Sequence, residues 1–171
     1  MPFTKLLPTS IDLAQNFTFT GTVAGAGGGK VLQVINKTDA TYQATSGSSF
    51  ADTSLQQAIT PSSTSSKILI IVEQKAVKAS GNTGVKMRLN RGLNEANVLN
   101  QFQTIGGETE EGTRNDFGST AYFHLDSPNT TSSITYVTSF ANYASGTGAA
   151  RVNNSSGDRS SMVLMEISAW V

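Results

Sequence analysis

Short runs in which apolar and polar residues alternate recur along most of the chain, as expected for β-strands with one buried face. Between residues 85 and 90, for example, Val85, Met87 and Leu89 alternate with charged or amide side chains. Turn-forming Gly, Pro, Asn and Ser separate these runs at short intervals. The pattern predicts an all-β protein, an antiparallel, jelly-roll-like β-sandwich of about eight strands.

Five consecutive apolar residues, Ile68 to Val72, follow a hydroxyl-rich turn and predict a strand in the middle of a sheet. Residues 94–102 fit either a short helix or an irregular strand, and residues 106–112 form a predicted loop. The predicted strands lie at 30–35, 41–45, 55–59, 68–72 with an extension to 78, 85–89, 121–125, 134–143 and 162–171.

The N-terminal segment, residues 1–24, contains an alternating stretch between residues 11 and 23, with apolar side chains at odd positions such as Ile11 and Phe19 and polar side chains at even positions such as Asp12 and Thr18. This period predicts a half-buried strand. A lone strand needs a surface for its apolar face and its backbone groups, which its own domain, sister copies or another protein could supply. We therefore predict that this segment is an assembly arm. Its docking residues are predicted to be Ile11, Leu13, Phe17, Phe19 and Val23.

A glycine-rich run at residues 25–29 divides the arm from a predicted β-sandwich domain at residues 30–171. Together with Lys30 it resembles a phosphate-binding loop, but Val31 stands where that loop needs a magnesium-binding hydroxyl, and a strand follows where a helix is required. The run is therefore predicted to be a hinge, because glycine gives the backbone conformational freedom. The hinge glycines are Gly25, Gly27, Gly28 and Gly29.

Charge and composition narrow the possible partners. Twelve basic and twelve acidic residues give a formal net charge of zero, which argues against a nucleic-acid-binding protein. The chain has no cysteine, so disulfides, thiolate metal sites and thiol nucleophiles are excluded. No export signal is recognisable, and no apolar run is long enough to predict a membrane span.

Candidate catalytic groups are few. His124 is the only histidine, and Asp126 shares its strand face, but the sequence shows no nucleophile motif to complete a triad. A solvated strand is the favoured interpretation of this pair. Four carboxylates crowd into one glycine-rich segment, where a solvated loop is favoured over a glycosidase pair and calcium binding stays open. These acidic residues are Glu108, Glu110, Glu111 and Asp116.

Two further groups have both a functional and a structural interpretation. Lys86, Arg88 and Arg91 are predicted to line one exposed strand face and its turn, as a weak anion patch or simply as a solvated surface. Aromatic rings could stack on sugars, but packing in the core or at an interface is favoured. The aromatic candidates are Tyr122, Tyr136, Tyr143 and Trp170. The sequence therefore predicts no enzyme, no cofactor and no metal centre.

Four segments carry a more specific pattern: Gly29-Lys-Val-Leu-Gln-Val34, Ile59-Thr-Pro-Ser-Ser-Thr-Ser-Ser-Lys-Ile-Leu-Ile70, Leu125-Asp-Ser-Pro128 and Leu164-Met-Glu-Ile167. Together they resemble a recurrent family of bacteriophage virion proteins, common in phages of marine bacteria such as cyanophages and pelagiphages and described as tail-fibre-like or structural. The resemblance covers nearly all of residues 29–168. These segments are turns and core strands, so they imply a scaffold and identify no ligand.

The resemblance implies a non-enzymatic virion structural protein that is assembled in the cytoplasm of the host bacterium. The long stalk and the anchoring domain of such fibres are absent, so we expect a short fibre, spike or fibre tip. The implied partners are sister copies, with a homotrimer favoured, capsid or tail proteins, and a host-surface glycan or protein contacted by loops. A capsid decoration or cement protein is the first alternative, and a lectin-like carbohydrate-binding module is the second.

Overall fold

The computed structural model describes residues 30–79, 84–104, 115–143 and 148–168, which contain ten β-strands and no helix. The predicted all-β class is therefore confirmed. The strands are β1 Val31–Asp39, β2 Gln43–Thr45, β3 Ala51–Ile59, β4 Lys67–Ala79, β5 Val85–Arg91, β6 Val98–Thr104, β7 Asn115–Asp126, β8 Ile134–Asn142, β9 Ala149–Val152 and β10 Ser160–Ile167.

The strands form two antiparallel sheets. Sheet A has the order β1-β10-β4-β7, with β9 and β2 continuing it beyond the end of β10, and sheet B has the order β3-β8-β5-β6. The antiparallel pairs are nested along the chain, β5 with β6, β4 with β7, β3 with β8 and β1 with β10. Nested pairs that alternate between two sheets are the wrapping of a jelly roll, so the predicted sandwich has this topology.

Two of the ten strands, β2 and β9, result from an interruption in the β1–β10 pair. The pairing stops at Asp39 and Ser160, and it resumes where Gln43 pairs with Val152. At the break, Nδ2 of Asn153 donates to Oδ2 of Asp39 at 3.0 Å, and Oγ of Ser160 donates to Oδ1 of Asn153 at 2.7 Å. Asn153 has a φ of 51° and is 2% exposed, so its amide replaces sheet hydrogen bonds that the bent backbone cannot make.

The structure differs from the predicted strands in several places. β6 begins at Val98 after a turn in which Asn94 and Glu95 both have a φ of 55°, which excludes the short helix considered for residues 94–102. β9 was missed because four residues with two alanines carry little periodic signal. β1, β3, β4 and β7 are longer than predicted, since their polar ends are held by neighbouring strands.

The core between the sheets has two apolar clusters with a polar layer between them. On β4, Val72 belongs to one cluster and Ala76 to the other, and Gln74 lies between them on the same face. On β8, Thr138 separates Tyr136 from Phe140 in the same way. The hydroxyl of Thr138 bonds that of Thr53 at 2.6 Å. By contrast, neither polar atom of the Gln74 amide has a partner among the described residues, although the side chain is fully buried.

We predict that Gln74→Met stabilises the fold. A buried polar group without a partner costs about 1–3 kcal/mol, and methionine fills a similar volume without that cost. Chemical denaturation should show a higher free energy of unfolding. The control is Gln43→Met, which removes the acceptor of the Ser54 backbone N–H at 2.8 Å and should lower stability. Unchanged or reduced stability of Gln74→Met would mean that the amide is satisfied, for example by a buried water.

A buried carboxylate joins three segments at one end of the sandwich. Glu166 on β10 is 1% exposed, and its Oε1 accepts hydrogen bonds from the backbone N–H of Ser62 at 2.7 Å and from its hydroxyl at 2.6 Å. Its Oε2 accepts from Nε2 of Gln33 on β1 at 2.6 Å. Burial would raise the pKa of Glu166, but these bonds and the nearby Ser66 hydroxyl lower it to about 2.

The lowered pKa predicts acid sensitivity. A carboxyl group whose pKa is lower in the folded than in the unfolded protein stabilises the fold above the unfolded value, 4.5, and this stabilisation is lost as pH falls towards 2. Wild-type protein should exceed Glu166→Gln in free energy of unfolding by about 3 kcal/mol near neutral pH, with the difference vanishing by about pH 2.

Urea unfolding at a series of pH values measures this difference. The control is Glu73→Gln, because the Glu73 side chain is 51% exposed and lies 3.6 Å from the Lys75 ammonium, a surface pair worth less than ~1 kcal/mol. A gap between wild type and Glu166→Gln that stays constant with pH would contradict the role of the Glu166 charge.

Candidate assembly face

The outer face of sheet A, which points away from the core, is apolar over half its length. The register aligns Val34, Met165, Leu69 and Leu125 in one row across β1, β10, β4 and β7. The next row contains Asn36, Val163, Ile71 and Phe123. The row on the other side contains Val31 and Ile167 and then becomes charged at Lys67 on β4. We call the apolar part of these three rows the apolar face: Val31, Val34, Leu69, Ile71, Phe123, Leu125, Val163, Met165 and Ile167.

Four of the nine side chains of the apolar face are exposed and the other five are half-buried. Phe123 is 63% exposed, Val34 55% and Leu125 51%. Five of the nine large apolar side chains that are exposed among the described residues belong to this face or, like Leu32, lie in the β1 bulge at its border. Nine side chains at ordinary sheet spacings, about 4.8 Å between strands and about 7 Å between rows, cover roughly 300 Å². The largest apolar patch on a typical monomer covers about 300–600 Å² and is often functional.

The run of apolar residues in β4 also draws attention to the outer face of sheet A. Ile68, Ile70 and Val72 are fully buried between the sheets, whereas Leu69 and Ile71 face outwards. A strand with one face in water normally alternates with polar residues, and an uninterrupted apolar run is typical of strands covered on both faces. The sequence of β4 is therefore that of a strand whose outer face is also covered.

The polar half of the same sheet shows the contrast. One row further along, Thr38, Ser161, Glu73 and Ala121 occupy the outer face, and beyond them Lys75 contacts Glu73 and the Ser119 hydroxyl. The outer surface of sheet A thus changes from apolar to polar between two neighbouring rows of side chains.

Both ends of the described domain lie at the apolar half. The backbone N–H of Lys30 donates to Oγ of Ser168 at 2.8 Å, and the N–H of Ser168 donates to the carbonyl of Lys30 at 2.9 Å. These bonds fix the start of β1 and the end of β10 side by side, next to Val31 and Ile167. Residues 1–29 therefore join the domain at the border of the apolar face.

The His124–Asp126 pair is on one strand face, as predicted, but the prediction of a solvated strand is wrong for Asp126. Asp126 is 7% exposed and accepts from the Tyr136 hydroxyl at 2.7 Å and from Nη1 of Arg91 at 3.0 Å. Burial and the bond to Asp126 raise the pKa of Tyr136. The carboxylate of Asp126 thus joins sheet A to sheet B, and His124 contacts Tyr122 instead.

The predicted row of exposed cations is also wrong in part. Arg91 turns towards Asp126, on the opposite face of β5 from Arg88. Arg88 lies 3.7 Å from the centroid of the Phe50 ring and pairs with Glu95 at 2.8 Å. Lys86 lies 5.3 Å from the same ring. Arg88 is thus paired with a carboxylate within the domain, whereas Lys86 contacts the Phe50 ring and the Ser48 carbonyl.

The aromatic candidates are divided between core and surface. Tyr136 is fully buried, and Tyr122 is stacked against Phe102 with ring centroids 5.1 Å apart, so neither presents a free ring to a sugar. This confirms the packing interpretation for both. Tyr143 is 50% exposed. Trp170 is outside the described residues.

Other predicted sites cannot be placed. The arm residues Ile11, Leu13, Phe17, Phe19 and Val23 and the hinge Gly25, Gly27, Gly28 and Gly29 lie outside the described residues. So do Glu108, Glu110 and Glu111, while Asp116 falls within β7. Within the described ranges no three acidic, histidine or cysteine side chains are grouped as a metal site would need. The same ranges contain no helix capable of crossing a membrane.

No protein-family model matches the chain, and no curated protein matches it. Among solved structures, the chain is similar to the VP2 subviral particle of infectious bursal disease virus, with a TM-score of 0.44 and 11% identity over 80% of this chain and 38% of that one.

Two further structures of infectious bursal disease virus show the same likeness. The values for the Gx strain are a TM-score of 0.42 and 11% identity, over 90% of this chain and 42% of that one. The structure of the Gt strain gives a TM-score of 0.44 and 13% identity, over 95% of this chain and 46% of that one. The chain thus spans less than half the length of each protein, and at these identities the likeness concerns the fold alone.

Proposed function

We propose that this protein is a non-enzymatic structural component of a bacteriophage virion, a short fibre, spike or fibre tip that assembles through its N-terminal arm. The observation that carries the proposal is the apolar face of sheet A. A rigid jelly roll that leaves Phe123 and Leu125 more than half exposed in the midst of an apolar sheet surface is suited to assembly with another polypeptide.

The resemblance to phage virion proteins supports the same assignment, and the structure explains why its motifs are scaffold motifs. Gln33, Ser62 and Glu166 come from three of the four quoted segments, and they form one hydrogen-bonded cluster. Asp126 comes from the remaining segment and joins the two sheets. These polar residues specify the fold and leave the outer face of sheet A for the partner.

A capsid decoration protein would use the same face, and it differs from a fibre in its place on the particle. Cryo-electron microscopy of intact particles tests both proposals. Density for the jelly roll on the tail supports a fibre, spike or fibre tip, while density distributed over the head lattice supports a decoration protein. Absence of the chain from purified particles, judged by mass spectrometry, would contradict a virion role of either kind.

We predict that Phe123→Ser combined with Leu125→Ser lowers incorporation into particles at least tenfold. Burial of each side chain is worth about 1.5–3 kcal/mol at an interface, and each 1.4 kcal/mol is a factor of ten. The measurement is quantitative mass spectrometry of purified particles. The variant should keep the thermal unfolding profile of the wild-type domain, since both side chains are exposed in it.

The control for this prediction is Leu93→Ser combined with Val98→Ser. These side chains are 45% and 42% exposed and lie in sheet B and its turn, outside the apolar face. Normal incorporation of the control together with a loss for the face variant is the expected result. Equal incorporation of both variants would mean that the apolar face is not used for assembly.

A further inference from the structure

We infer that the apolar face of sheet A packs against the same face of a second copy of the chain, with the strands of the two copies antiparallel. The inference rests on the proposed function in one respect, because that proposal assigns the apolar face to assembly with another polypeptide. The charges at the two ends of the face and its area both point to a second copy as the occupant.

The outward side chains of β4 carry opposite charges at the two ends of the face. In order along the strand they are Lys67, Leu69, Ile71 and Glu73. Both charged side chains are exposed. The strand thus presents a cation, two apolar residues and a carboxylate. A second β4 that runs in the opposite direction presents the same groups in reverse order, so each charged end meets the opposite charge.

Both charges are available to such a partner. Nζ of Lys67 donates to Oγ of Ser127 at 3.3 Å, and within the described residues Lys67 forms no ion pair. The Glu73 side chain lies 3.6 Å from Lys75 but is 51% exposed, so its carboxylate can accept from a second cation. A face-to-face dimer with a two-fold axis therefore contains two contacts between Lys67 of one copy and Glu73 of the other.

The two-fold axis lies between the two central rows of the face. It places Leu69 of each copy over Ile71 of the other, so apolar rows meet apolar rows. Packed sheets lie about 10 Å apart, with their strands within about 30° of each other. The charged ends lie about 10 Å from the centre of the face, so this angle displaces them sideways by about one strand spacing. A lysine side chain can span that distance.

The area of the face supports a dimer of moderate affinity. Four rows on four strands, from the row of Lys67 to the row of Glu73, cover roughly 540 Å² of sheet at ordinary spacings. The two copies together would bury roughly 1,100 Å², just above the ~1,000 Å² expected of a specific interface. The same contact covers the outer face of β4, which accounts for the uninterrupted apolar run from Ile68 to Val72.

Cross-linking of full-length chains tests the antiparallel arrangement, and the absence of cysteine makes engineered thiols unique. A chain with Lys67→Cys is mixed with a differently tagged chain that carries Glu73→Cys, and a short bismaleimide is added. The expected product is a covalent heterodimer, at least fivefold more abundant than the product of two differently tagged Lys67→Cys chains. Thiols at the same end lie about 20 Å apart along the strands of the antiparallel dimer.

Two outcomes of the cross-linking would overturn the inference. A same-end product that equals or exceeds the opposite-end product would mean that the copies meet in another arrangement. The second control pairs Lys67→Cys with Leu93→Cys, which lies outside the face. An opposite-end product no more abundant than this control product would mean that the face is not covered by a second copy.

Exchange of the two charges gives an independent test by sedimentation velocity. Lys67→Glu should weaken self-association at least fivefold, because two contacts between like charges replace two between opposite charges. Lys67→Glu combined with Glu73→Lys should restore it, because the exchange recreates both pairs. The control is Lys86→Glu on the outer face of sheet B, which should associate like the wild type. An association that Lys67→Glu leaves unchanged, or that the double variant does not restore, would contradict the inference.

The proposed function is tested independently of this contact. Particles that contain the chain while the opposite-end product fails to form would contradict the dimer and leave the virion assignment in place. An antiparallel dimer formed by a chain that is absent from purified particles would support the contact and contradict the virion assignment.

Discussion

The fold depends on the satisfaction of one buried charge, the carboxylate of Glu166. A carboxylate removed from water is tolerated only when donors surround it, and here Ser62 and Gln33 provide them from the turn before β4 and from β1. The Gln33 amide also donates to the Thr60 carbonyl at 2.8 Å, which links the edge strand to the same turn. The hydroxyl-rich turn therefore supplies hydrogen-bond donors to Glu166. The position of this turn fixes how β1, β4 and β10 are arranged relative to one another.

The carboxylate of Asp126 is also buried, and its hydrogen-bond donors come from the second sheet. It lies at the end of β7 in sheet A and binds Arg91 and Tyr136 in sheet B. A carboxylate with an arginine and a buried tyrosine as partners is held in one geometry, so it determines the relative placement of the sheets as apolar packing alone would not. The two anchors lie in the segments that resemble phage virion proteins, and this explains why those segments carry information about the scaffold and none about a ligand.

Features of the fold that depend on local periodicity could be predicted from the sequence. Features that depend on a polar partner far away in the chain could not. Alternation predicted β5 and the inward positions of Val85, Met87 and Leu89, which are fully buried. The same alternation puts Arg91 on the core side, and the predicted anion patch was wrong because it grouped Arg91 with Lys86 and Arg88 on the opposite face. What alternation could not predict is the partner of Arg91, a carboxylate 35 residues away. β9 is held by β4 and β2, and neither contact leaves a local pattern in the sequence. The apolar face was missed because alternation was taken to mean water on the other side, although the runs in β4 and β10 do not alternate.

The five apolar residues from Ile68 to Val72 therefore have two separate tasks. Ile68, Ile70 and Val72 stabilise the domain, since they are fully buried between the sheets whether or not a partner is present. Leu69 and Ile71 face outwards and contribute little to that core, and the proposed assembly would give them a surface to pack against. Their neighbours on β7, Leu125 and Phe123, are also apolar and face outwards. The apolar surface ends at the next row, which contains Ala121 and Glu73. Under the proposed assembly, the boundary between these rows marks where packing against a second polypeptide would end.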